Sequence, residues 1–306
     1  MKKAGLLAAT IVCLSSAAFA DTKAWTAAKA GLPADAKIVV GLDVAAISKT
    51  PIYSTLMPKL LKKPEFASAI EQIKTKCKID ALAAIQSIVV AMDATKEDGA
   101  IYVGVDGIDA ATVASCAAKT DDKGKVTATT TGNITELTLA DKTDKTTAYI
   151  GWAGKDVIVV PMKSGSKPAL LKWMNGHGAF ARSGASAALK TDTSAPIFGG
   201  GQVDTEIQPG VKMTAGYGKL TFAGGGLAAD VHAIMTTAKS AADMAAMANT
   251  QLADKKKSAG TDVPPAINNI LNSIKVTSAG SEVVVNASVN KDDLTALLAL
   301  AAMGIN

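Results

Sequence analysis

The chain has 306 residues, a formal net charge of +5 and 48% hydrophobic residues, but only 4% aromatic ones. The hydrophobic share excludes a disordered tail, and the length suggests two domains. Arg182 is the only arginine; with so few guanidinium forks and stacking rings, nucleic-acid binding is excluded.

Residues 1–20, MKKAGLLAATIVCLSSAAFA, read as a signal peptide. Lys2 and Lys3 form a basic start, Ala4 to about Leu14 an apolar run, and Ala18-Phe19-Ala20 a small-x-small site, so cleavage is expected between Ala20 and Asp21. The apolar run is shorter than the roughly 18 residues of a membrane anchor. Cys13 follows Thr10-Ile11-Val12 and so lacks a lipid-attachment box. Cleavage removes it with Lys2 and Lys3, lowering the charge from +5 to +3. No later segment reads as a membrane span. The mature chain is expected to be exported, periplasmic or extracellular, and peripheral contact with an envelope or lipid component stays open.

Residues 21–36 read as a polar, Ala-rich leader, and KIVVGLDVAAI (37–47) as a strand. Thr50-Pro51 opens a helix, with Thr as N-cap and Pro in the first turn. Pro58 and Pro64 are expected to break that helix in two. In the second piece Phe66, Ile70, Ile73 and Cys77 form one apolar stripe, which turns Cys77 toward the core. IQSIVVAM, a turn near Lys96 to Gly99, AIYVGVDGI and DAATVASCAAK then read as strand, turn, strand, helix, capped by Asp109. The Thr-rich stretch 125–151 reads as extra strands turning at Gly132-Asn133. The four-part grammar recurs three more times. Its turns are Ala153-Gly154-Lys155, Gly224 to Gly226 and Ala279-Gly280; its caps are Ser166, Thr236 or Thr237, and Asn290. Lys255-Lys256-Lys257 reads as a charged helix end.

Repetition at this period is information about fold. It predicts an α+β protein: antiparallel sheets with helices packed on one face, built from repeated strand-turn-strand-helix units in two related domains. The first domain would span 37–180 and the second 196–306, with the Gly/Ser/Ala-rich segment 181–195 as linker.

Pro33 to Ala36, Gly41-Leu42-Asp43, Cys77 and Cys116 carry a resemblance. The first third of the chain resembles a group of uncharacterised exported proteins of myxobacteria and their relatives. In that group a Pro-Ala-Asp-Ala leader enters a Gly-Leu-Asp strand, and a helix ending in Cys is followed by a strand pair and a helix with a second Cys. Gly-Phe-Asp often follows the first Cys there; here Lys78-Ile79-Asp80 stands in its place, so the glycine turn is missing. The resemblance implies export and a duplicated α+β architecture, and no activity.

The mature chain keeps two cysteines, Cys77 and Cys116, both on apolar helix faces. In an oxidising compartment they are expected to form a disulfide, with two buried thiols as the alternative. A cysteine nucleophile would need a nearby base, and His177 and His232 lie elsewhere in the sequence. Two isolated histidines and two cysteines show no metal-ligand spacing; no metal and no cofactor is expected. His232 alternates onto the polar side of its strand with Asp230. Ser164-Gly165-Ser166-Lys167 matches the SxxK string, in which serine attacks and lysine activates it, but SDN and KTG strings are absent and helix capping is expected there. Gly199-Gly200-Gly201 and Gly224-Gly225-Gly226 read as turn or bulge glycines. Asn133-Ile134-Thr135 and Asn286-Ala287-Ser288 fit a glycosylation string and are assigned no role.

With no convergent catalytic set, the chain is expected to be a non-catalytic exported binding or scaffolding protein of unknown partner. The alternatives are a carrier of lipid or other apolar cargo, and a secreted serine hydrolase using Ser164 and Lys167.

Overall fold

The computed structural model describes residues 21–304 except 94, 97, 121–125, 141–144, 163–164 and 260–262. The signal-peptide reading, including Ala20, falls outside them. Chain order begins α1 (Lys23–Gly31), β1 (Ile38–Asp43), α2 (Val44–Ile47), α3 (Pro51–Leu60), α4 (Pro64–Gln72), a π-helical turn (Ile73–Cys77) and α5 (Ala81–Ala84). Next come β2 (Ile85–Asp93), β3 (Asp98–Val105), α6 (Ala110–Thr120), β4 (Val126–Thr131), β5 (Ile134–Ala140), β6 (Lys145–Trp152), β7 (Val157–Pro161) and α7 (Lys167–Met174). After two 3-10 helices, Ala179–Arg182 and Gly184–Lys190, follow β8 (Ile197–Gln208), β9 (Val211–Ala223), β10 (Gly226–Met235) and α8 (Ala238–Ser258). The chain closes with α9 (Pro265–Ser273), β11 (Lys275–Ala279), β12 (Glu282–Val289) and α10 (Lys291–Gly304).

The α+β class and all four strand-turn-strand-helix units are present. Each is fixed by a local device that the sequence supplies. The side chains of Ser166 and Thr237 accept the backbone N–H of Ala169 and Ser240, and those of Asp109 and Asn290 accept from Thr112 and Asp293. These bonds satisfy helix-start donors that would otherwise be orphaned. Gly154 and Gly280 take the left-handed backbone that their turns need.

All strands among the described residues join one antiparallel sheet in the order β11-β12-β10-β9-β8-β1-β2-β3-β7-β6-β5-β4. The sheet crosses the expected domain boundary, because β8 pairs with β1, Val40 opposite Gly199. The expected linker 181–195 is part of the core: it holds a 3-10 helix with Ala185 and Ala188 fully buried. Its small residues permit close approach, since a Cβ on Gly200 would meet the Ala188 backbone nitrogen at 2.4 Å. A composition that suits a solvated linker serves here for tight packing.

The expected leader 21–36 is also corrected. It contains α1, capped by Thr22. Ala24, Trp25, Ala28 and Leu32 share one helix stripe and are fully buried. Trp25 packs edge-on against Phe180 and Phe198, with ring centroids 5.4 and 4.8 Å apart. The predicted strand 37–47 stops at Asp43, whose carboxylate caps α2 by accepting from Ala46. Pro58 stays inside α3; the break falls at 61–63, ahead of Pro64.

Alternation along the strands separates two faces. The inner face carries Val39, Val89, Tyr102 and Val159, all with zero exposure, under α1, α7 and the 3-10 helices. The outer face is covered near one end by α6 and the π turn, which lie over Val103 and Ile158. Near the other end it is covered by α8, packed with Ala233, Val283 and Val285. Between these helix groups lies an uncovered span.

Candidate functional site: an apolar trough on the outer sheet face

The register shows what the uncovered span is made of. One row runs Val231, Gly218, Gly199, Val40, Val90, Ile101, Val160 across seven strands. The next runs Ala233, Gly216, Gly201, Ile38, Met92, Gly99. A third runs Ala229, Leu220, Ile197, Leu42, Ile88, Val103, Ile158; its last two members lie under α6 and the π turn, as Ala233 of the second row lies against α8. No side chain in these rows carries nitrogen or oxygen. An antiparallel sheet face that meets water is normally polar, so an apolar one this broad marks a contact surface. Across seven strands at about 4.8 Å spacing it extends about 29 Å.

Within it the surface dips to a trough of about 560 Å³ over β1, β8, β9 and β10. Its floor is two cross-strand glycine pairs, Gly199 with Gly218 and Gly201 with Gly216. Its sides are Ile38 and Val40 on β1 and Val231 on β10, with Ile197 and Leu220 toward one end. Val40 is 38% and Val231 44% exposed, so the side walls face open space. The glycines are not equivalent. On Gly201 a Cβ would strike the Lys37 carbonyl oxygen at 2.5 Å, whereas on Gly216 the nearest atom, the His232 carbonyl oxygen, is 3.4 Å away. Close strand approach requires glycine at the first position; the second leaves room.

On the inner face, directly behind the trough, sits a polar cluster. Tyr217 stacks on His232 with ring centroids 4.5 Å apart. The His232 ring nitrogens lie 3.2 Å from Glu282 and 3.1 Å from Asp230, and the Tyr217 hydroxyl donates to Glu282 at 2.9 Å. The Tyr217 hydrogen bond, aided by His232 and Lys190, holds the Glu282 carboxyl below its usual range against the opposing effect of burial. Burial, with Glu282 second, pushes the Tyr217 phenol up to about 12. The cluster therefore ties β9, β10 and β12 together and stiffens the trough from behind. The sequence placed His232 beside Asp230 but missed Glu282 and Tyr217, which only strand register brings near.

A second network fastens the β2–β3 turn to α7. Asp98 accepts from Lys172 Nζ at 2.7 Å and Trp173 Nε1 at 3.0 Å, and Lys172 also meets Asp35 at 3.0 Å. Burial opposes ionisation at Asp98, but the Lys172 and Trp173 hydrogen bonds outweigh it and lower its pKa. Asp93, 1% exposed, is lowered chiefly by the Thr95 hydroxyl, with Lys96 adding to it. Neither network presents a nucleophile.

Cys77 and Cys116 are bonded, with Cα atoms 5.0 Å apart. Ser164 lies outside the described residues, and Lys167 is the exposed first residue of α7. His177 sits in a loop with φ 46°, far in sequence from the disulfide. Among the described residues no cluster of metal-ligating side chains occurs, and no helix is long and apolar enough to cross a membrane. Gly199 to Gly201 lie inside β8, where a turn or bulge was expected; Gly224 and Gly225 do form the β9–β10 turn. Lys255 to Lys257 end α8 as expected.

No protein-family model matches the chain, and no curated protein matches it in sequence. Among solved structures it is similar to TP0453. Crystal form III gives a TM-score of 0.48 at 10% identity, covering 90% of this chain and 97% of that one. Crystal form I gives 0.47 at 9% identity, covering 90% and 96%.

Proposed function

We propose that this chain is an exported, non-catalytic binding protein that carries an apolar ligand, such as a lipid acyl chain, in the trough. The carrying observation is the glycine-floored depression of about 560 Å³ among three cross-strand rows that carry no polar side chain. That volume lies within the range of small-molecule sites. Each methylene it takes from water contributes about 0.8 kcal/mol. Export is supported by the signal-like residues 1–20, by the resemblance to exported proteins and by the Cys77–Cys116 disulfide, a bond typical of oxidising compartments. The test is titration of the mature chain, 21–306, with a fluorescent long-chain fatty acid. Saturable one-to-one binding is expected; a signal that rises linearly without saturation contradicts the reading.

A further inference from the structure

The outer face holds a second cavity, separate from the trough. It measures about 370 Å³ and sits where α6 and the π turn arch over the sheet. Val103 and Ile158 form its floor, and Val113, Cys116 and Ile73 line its roof. It is a cleft partly open to solvent: Ile73, Val103, Val113, Cys116 and Ile158 are all half-buried. Its lining is apolar and its volume lies within the range of small-molecule pockets.

The roof has an unusual attachment. Neither α4 nor the π turn contains a buried residue. The Cys77–Cys116 bond is the covalent tie that holds this arm to α6, and Cys116 is itself a lining residue. The arm ends at Lys78 in left-handed backbone, φ 60°, a sharp turn directly after the bonded cysteine.

We propose that this cleft is a second binding site, for a compact hydrocarbon group about the size of two fused rings, and that the disulfide retains the bound group by holding the roof over it. The proposal rests on this cavity and its roof, not on the trough, and the two can fail separately. The experiment titrates oxidised mature protein with 1-aminonaphthalene, read by its fluorescence. Val113→Trp fills the cavity from the roof and should weaken binding at least tenfold, with an unchanged or raised melting temperature. Gly216→Val, which fills only the trough, should leave this binding unchanged. The Cys77→Ala/Cys116→Ala double variant should release the probe at least tenfold faster. If Val113→Trp lowers the melting temperature, Ile158→Phe fills the cavity from the floor and is read in the same way. Wild-type affinity in the filled variant, or loss of binding in Gly216→Val instead, overturns the site. Equal release rates with and without the disulfide overturn its role in retaining the group.

Discussion

Gly216→Val separates folding from binding in the trough. The added Cβ meets nothing nearer than the His232 carbonyl oxygen at 3.4 Å, an ordinary contact. Glycine is unfavourable in strands and valine is favoured, by up to about 1 kcal/mol, so the variant should be as stable as the wild type or more so. Its three added carbons stand on the trough floor and displace about three ligand methylenes. At about 0.8 kcal/mol each that costs about 2.4 kcal/mol, or on the order of fifty-fold in affinity. Thermal melting and fatty-acid titration of the same sample read both effects. Full stability with unchanged affinity would refute the assignment of the trough as the binding site. The contrasting variant is Gly201→Val, whose Cβ would sit 2.5 Å from the Lys37 carbonyl oxygen; it should lose stability.

The disulfide spans 39 residues, and closing a loop of that length contributes about 4 kcal/mol in the chain-entropy argument. Urea unfolding with and without reductant should differ by that order, and equal midpoints would contradict it. Trp25→Ala should cost about 3–5 kcal/mol, because the ring is fully buried against Phe180 and Phe198; a true leader would lose nothing. Lys78→Gly should gain up to about 1 kcal/mol in denaturant unfolding by relieving the left-handed backbone at φ 60°; a loss would contradict the strain. Asp93 and Asp98 have folded pKa values held below the ordinary carboxylate value. Their contribution is therefore full above the unfolded pKa and lost as pH falls through the folded values. Melting temperature should drop below about pH 4, less steeply in Asp98→Asn; an identical acid profile in that variant would contradict the assignment.

Much of the architecture was legible because local rules carry it. Ser166, Thr237, Asn290 and Asp109 announce helix starts, Gly154 and Gly280 mark turns, and alternation places the strands. The Phe66-Ile70-Ile73-Cys77 stripe was expected to face the core, but Phe66 is 38% exposed and no residue of α4 or the π turn is buried; the stripe instead lies at the surface, tied down by the Cys77–Cys116 bond. Where small residues do two jobs, sequence misleads. Ala-rich 21–36 reads as polar leader, although Trp25 anchors a core helix. The Gly/Ala segment 181–195 reads as linker, although Ala188 lies on the bare backbone of Gly200. Gly199 to Gly201 read as a turn because a glycine's neighbour across the sheet is invisible in sequence. The trough exists only because Gly199 meets Gly218 and Gly201 meets Gly216, pairings set by long-range register. The outer face could not be read as uncovered either, since helix stripes do not say which part of a sheet they reach.

Whether the trough holds an apolar ligand is read by native mass spectrometry of the protein purified from its own host. A discrete bound mass of one lipid-like molecule is expected, retained by the wild type and lost in Gly216→Val. A clean ligand-free mass for the wild type, from cells with abundant lipid and under conditions gentle enough to keep non-covalent complexes, would contradict it.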